Sequence, residues 1–133
     1  MISTRGRYAL RVMIDIGQNQ GDGFVPMKEV AKRQGLSLKY LEQILPALTR
    51  GGLVKGVHGK GGGYRLTREP EDYTTYEILR LTEKGLEPVS CLAEGAEKCE
   101  RMAKCKTIAF WKGLNDVIFD YLKSTTLADL MHE

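Results

Sequence analysis

The chain has 133 residues, of which 42% are apolar and 28% charged. That balance describes one ordinary globular domain, or a small domain with a helical extension, and excludes wholesale disorder, a collagen-like repeat and a disulfide-stapled miniprotein. The net charge is +3, but residues 28–68 hold nine Lys/Arg against two acids and are +7, whereas residues 1–27 are +1 and residues 69–133 are −5.

No apolar run approaches the ~20 residues of a membrane span. The start, Met-Ile-Ser-Thr-Arg-Gly-Arg, lacks an apolar signal core. The expectation is a cytoplasmic protein. Its three cysteines should then be reduced thiols or ligands, not disulfides.

In chain order, residues 3–19 read as a helix capped by Ser3 or Thr4, with Ala9, Val12, Met13 and Ile16 as its buried stripe. Residues 18–23 are turn material. Residues 27–34 predict a short helix with Val30 and Ala31 inside, broken by Gly35. Ser37 caps the next helix, whose stripe is Leu38, Leu41, Leu45 and Leu48. Pro46 removes a backbone donor there and predicts a kink, and Gly51-Gly52 ends the helix. Residues 53–57 and 64–68 read as strands joined by a flexible glycine-rich tip, 58–63. Thr74 to Lys84 is a helix stopped by Gly85, and residues 86–104 are irregular. The last long helix runs from about Lys106 to Lys123. Trp111, Leu114, Ile118 and Tyr121 form a narrow seam in it, widened by Phe110, Val117 and Leu122.

Helix, glycine turn, capped helix and glycine-rich hairpin, in that order, make a winged helix-turn-helix. The fold class is mainly α with a small β-hairpin wing and a long C-terminal helix. The boundaries are 1–85 for the DNA-binding domain, 86–105 for a cysteine-bearing sensor loop, and 106–133 for a helix and tail. The +7 segment coincides with the helix-turn-helix and wing, as a phosphate-binding surface requires. Gln43 can make paired bonds to adenine, and Glu42 can accept from cytosine. Lys28, Ser37, Lys39, Tyr40 and Arg50 complete the helical part of the interface, with Lys39 and Arg50 on phosphates. In the wing, Gly59 and Gly61 allow close approach while His58 and Lys60 flank or enter the minor groove.

Cys91, Cys99 and Cys105 are spaced C-x7-C-x5-C. Six residues turn a helix through about 600°, so Cys99 and Cys105 cannot share one helical face. Cys105 should open the long helix, where the dipole favours a thiolate. Lys98, Arg101, Lys104 and Lys106 stand against Glu94, Glu97 and Glu100 around the trio. Three such thiols suit an iron–sulfur cluster with one further ligand, zinc with a fourth ligand, redox chemistry, or no ligand at all.

The segments Ser3-Thr-Arg-Gly-Arg-Tyr-Ala-Leu10, Ser37-Leu-Lys-Tyr-Leu-Glu-Gln-Ile-Leu45 and Gly59-Lys-Gly-Gly-Gly-Tyr-Arg-Leu66 closely resemble the IscR-type (Rrf-two) bacterial transcription regulators. So do the Trp111 helix and Thr126-Leu-Ala-Asp-Leu130. The resemblance covers almost the whole chain. It implies a homodimeric repressor or dual regulator that binds a double-stranded operator, with the long C-terminal helix as the dimer seam. It further implies that Cys91, Cys99 and Cys105 are metal ligands holding an iron–sulfur cluster of the 2Fe-2S type. The histidine that the family places three residues after the last cysteine is Ile108 here, which leaves the fourth ligand open. Relatives that use a carboxylate near the first helix have no counterpart at Arg7-Tyr8-Ala9.

Two rival readings stand beside this one. A cluster-free winged-helix repressor would answer to a partner protein or a small molecule, as a regulator of cysteine metabolism would. A basic-faced helical adaptor would bind an acidic protein. No enzyme is expected, because two histidines in all give no Ser/His/acid or Cys/His arrangement.

Overall fold

The computed structural model describes residues 2–97 and 99–133, so Met1 and Lys98, one of the bases counted beside the cysteines, lie outside it. Helix α1 spans Thr4–Asn19, and the Ser3 hydroxyl accepts from the Gly6 N–H at its start. Ala9, Val12, Met13 and Ile16 are fully buried, as the stripe predicts. Asp15 is on the same buried side and is only 2% exposed.

A buried carboxylate must be paired, and Asp15 takes its partners from the next helix. Helix α2 spans Met27–Gln34. Arg33 donates to Asp15 through Nη2 at 2.7 Å and Nε at 3.0 Å, and Gln34 donates at 2.9 Å. The hydrogen bonds that Arg33 donates to Asp15 hold its guanidinium above its ordinary pKa. Arg11 reaches across from α1 to both the side chain and the main-chain carbonyl of Gln34. Gly35 then ends α2 at φ 66°, a left-handed conformation that glycine adopts without a Cβ penalty.

Helix α3 spans Leu38–Arg50, capped by Ser37, whose hydroxyl accepts from the Tyr40 N–H. It runs through Pro46, which is exposed, so no buried group is left facing the missing donor. The expected stripe needs one correction. Leu41, Ile44, Leu45 and Leu48 are buried, whereas Leu38 is 37% exposed. At 100° per residue, position 38 lies about 70° from the centre of that face, at its edge.

Strands β1 (Val54–Val57) and β2 (Gly63–Leu66) pair antiparallel, from Val54 opposite Leu66 to Val57 opposite Gly63. Val25 and Tyr64 exchange both backbone bonds and tie the hairpin to the α1–α2 loop. Gly63 permits this approach: a Cβ there would lie 2.2 Å from the Val25 carbonyl oxygen. β2 stops short of the expected residue 68: the Arg68 N–H goes to a phenol, and the Thr67 N–H is shared between that phenol and the Leu53 carbonyl. Tyr73, fully buried, accepts from the N–H groups of Thr67 and Arg68 and donates to the Leu53 carbonyl at 2.6 Å.

Helix α4 (Thr75–Thr82) begins with a reciprocal capping box between Thr74 and Glu77. It ends before Glu83 and not at Gly85, because Glu83 is extended; its carboxylate accepts from both the N–H and the hydroxyl of Ser3. Single 3-10 turns at Ser90–Leu92 and Met102–Lys104 punctuate the segment that follows. Helix α5 (Ile108–Ser124) buries no residue fully. Helix α6 (Leu127–Met131) then returns to α1. Leu127 is fully buried in the same core, and Gln18 donates to the Met131 carbonyl at 3.0 Å. Backbone bonds from Thr75 to Thr125 and from Leu127 to Tyr73 fix that return. The three N-terminal helices and the hairpin make a winged helix. No helix among the described residues is long and apolar enough to cross a membrane.

Replacing Arg33 by Ala leaves the Asp15 carboxylate buried with Gln34 as its main side-chain donor. We expect a loss of about 3 kcal/mol in urea unfolding, well above the ~1 kcal/mol ceiling of an exposed ion pair. An unchanged unfolding midpoint would show that Asp15 does not depend on Arg33.

Candidate functional site: the nucleic-acid interface and the cysteine segment

The candidate recognition surface is built on α3. Its buried face fixes its opposite face, and that face carries Lys39, Glu42, Gln43 and Arg50 in the open. Lys28 is exposed on α2, and His58, Gly59, Lys60 and Gly61 are exposed at the wing tip. Two of the expected contacts are partly committed to the fold itself. The Ser37 hydroxyl serves as a helix cap. Tyr40 is half-buried and meets the Tyr8 ring edge-on at 5.4 Å between centroids. The tip is a turn and not a loose loop: Gly62 N–H bonds to the Gly59 carbonyl, with Gly59 and Gly61 at positive φ.

The structure also sorts the cations of the basic block. Arg33 is taken by Asp15, and Arg68 pairs with Glu77 at 3.0 Å. Arg65 donates to the Gly23 carbonyl and lies over the Phe24 ring. Lys28, Lys32, Lys39, Arg50, Lys55 and Lys60 are exposed, and among the described residues no carboxylate stands within salt-bridge distance of them. Arg5 was missed by the sequence reading. Its guanidinium donates to the Gln43 carbonyl at 2.9 Å, which sets a further positive charge beside the recognition helix. The cluster Arg5, Arg7 and Arg11 was its only signal, diluted by the nearly neutral charge of residues 1–27.

The cysteines lie on the far segment between α4 and α5. Cys91 sits in the first 3-10 turn, Cys99 is exposed, and Cys105 closes the second turn. All three are free thiols. Among the described residues, no three His, Cys, Asp or Glu side chains are grouped closely enough to hold a metal ion. Cys105 does not open α5 as expected; the helix begins at Ile108, with Thr107 as its cap. Its thiol still feels that helix end. A hydrogen bond with the Thr107 hydroxyl, at 3.4 Å, and then the backbone N–H groups of Thr107 and Ile108 lower its pKa. Ile108, where a histidine ligand would stand in the resembling family, occupies the first position of α5.

Residues 2–133 match the family model described as Rrf2, iron-dependent transcriptional regulator. The chain is 34% identical over 131 residues to the HTH-type transcriptional regulator IscR of Photorhabdus laumondii, covering 98% of this chain and 79% of that protein. Among solved structures it resembles CymR (YrzC), the global cysteine regulator of B. subtilis, at 39% identity and a TM-score of 0.81, covering 99% of this chain and 96% of that one. It also resembles T. potens IscR, at 36% identity and a TM-score of 0.75, covering 99% and 86%. These relatives are transcriptional regulators and not enzymes.

The helix-end donors that lower the pKa of Cys105 should speed its alkylation near neutral pH. Iodoacetamide labelling of the metal-free protein, read by peptide mass spectrometry, should modify Cys105 before Cys99 despite the greater exposure of Cys99. Thr107→Val should slow Cys105 selectively. Equal rates at both cysteines would remove the helix-end effect.

Proposed function

The chain belongs to the Rrf2 family of transcriptional regulators, and from that premise we propose that it reads a pseudo-palindromic operator as a homodimer. The observation that carries this reading is the open face of α3. It leaves Gln43 and Glu42 exposed, free to meet a base edge, with Lys39 and Arg50 exposed on the same face and suited to phosphates. The wing tip brings His58 and Lys60 to the flanking minor groove, and Arg5 and Lys28 add charge at the border. A protein acting on the chromosome in this way works in the cytoplasm.

Residues 86–105 form the sensor, and α5 forms the seam between subunits. Cys91, Cys99 and Cys105 are the proposed ligands of a 2Fe-2S cluster. Their chemistry fits: three free thiols on one short segment, one of them biased toward thiolate. The side chains are not gathered in the isolated chain, so ligation would have to draw the two 3-10 turns together. When bound, the cluster supplies a redox-labile centre. The residues of the segment would then order against α5, and α5 would set the spacing between recognition helices.

A second reading keeps the operator and drops the cluster, with control by a partner protein. The ungathered thiols favour it, as does the likeness to a structure described as a global cysteine regulator.

Gln43→Ala should weaken specific operator binding by about 1–3 kcal/mol while leaving binding to random DNA unchanged. Fluorescence anisotropy with both DNAs checks this, and unchanged discrimination would remove Gln43 from base reading. Anaerobic purification with iron and sulfide assays separates the two control mechanisms. Brown protein with stoichiometric iron and sulfide supports the cluster. Colourless protein that resists reconstitution, yet keeps operator affinity, supports the partner.

A further inference from the structure

Arg5 lies in the first turn of α1, and its guanidinium donates at 2.9 Å to the main-chain carbonyl of Gln43, in the middle of α3. Among the described residues no carboxylate stands within salt-bridge distance of that guanidinium. Three residues on along α1 and three back along α3, Tyr8 meets Tyr40 edge-on, with 5.4 Å between ring centroids. Positions three apart share a helix face, so the two contacts form one strip between α1 and α3. The start of α1 is itself held in place. The Ser3 N–H and hydroxyl both donate to the Glu83 carboxylate, each at 2.8 Å, and Gly6 makes room for that carboxylate, because a Cβ there would collide with it.

Helix α3 has a weak point at this turn. Pro46 carries no N–H, so the Glu42 carbonyl four residues earlier lacks its helical donor, and the proline ring presses against that carbonyl. The turn from Glu42 to Pro46 is therefore the one least restrained by the helix itself, and it carries both residues proposed to meet bases. A site of fixed geometry holds its side chains to within about 0.5 Å of the productive position. We propose that Arg5 is a positioning residue for base reading. By binding the Gln43 carbonyl from a fixed helix end, it restores from outside the restraint that Pro46 removes, and so holds Glu42 and Gln43 at one orientation to the DNA. This rests on the reading of those two residues as base contacts. A cation that only met phosphates would act on all DNA alike, whereas a positioning residue acts on the choice between sequences.

A double-mutant cycle on the full chain tests it. The probes are a duplex that the protein selects from a random pool and a random duplex of equal length. Arg5→Ala, at an exposed position, should lower the ratio of selected to random affinity by about tenfold. Pro46→Ala returns the missing donor, so in that background the same change should cost less than about threefold. Additive effects of the two substitutions would overturn the proposal. So would an equal loss on both duplexes with the salt slope reduced by about one, which would make Arg5 a phosphate contact. The tie is also measurable without DNA. In the free protein, Arg5→Ala should speed amide hydrogen exchange in α3 peptides while leaving α2 peptides unchanged, and unaltered exchange in α3 would equally overturn it. Failure of the base reading shows elsewhere, as unchanged discrimination in Gln43→Ala.

Discussion

The structure depends on one buried charge. Asp15 lies in the apolar face of α1, where an unpaired carboxylate could not remain ionised without a large cost. Arg33 and Gln34 meet it from the last turn of α2, and Arg11 meets Gln34 in return. These bonds have direction, so they fix the rotation and height of α2 on α1, which apolar contact alone leaves looser. The left-handed Gly35 follows at once, and α3 starts three residues later. The orientation of α3, the proposed recognition helix, is therefore set through a three-residue connection from a polar clamp on its neighbour. Arg5, bonded to the Gln43 carbonyl, braces the other side.

Local features were legible because local physics decides them. Ser3, Ser37, Thr74 and Gly35 act at helix ends through their own side chains or conformation, and a sequence displays such residues openly. The wing was legible from its glycines. Its upper boundary was not, because the Arg68 donor goes to Tyr73, a residue beyond the strand, and the Thr67 donor is shared between Tyr73 and Leu53. The end of α4 was misplaced for a like reason. Glu83 answers to Ser3, eighty positions earlier, and no window of sequence contains both.

The site divides along the same line. The outward residues of α3 follow from its buried ones, so Lys39, Glu42 and Gln43 could be read directly. Charge counting overstated the basic block, since Arg33 and Arg68 have partners that composition cannot pair. Helix α5 shows a further limit. Phe110, Val117 and Tyr121 are 65–69% exposed in the isolated chain, while Trp111, Ile118 and Leu122 are half-buried. Periodicity announces two apolar faces without saying which one the chain keeps for itself. For the cysteines, spacing excludes a shared helical face but carries no information on whether the turns bring the thiols together.

The return of α6 has a consequence for how such a protein can be inherited. Leu127 completes a core whose other members lie within the first 78 residues, and the backbone of Tyr73 and Thr75 is bonded to residues 127 and 125. The winged-helix core is thus contiguous in space but not along the gene. Recombination that joined residues 1–85 to a different sensor would leave a hole where Leu127 sits. Changes between α4 and α6 leave that core intact instead, because none of its buried members lies there. That interval alone can be rewritten, with the winged helix and its closing helix passed on together.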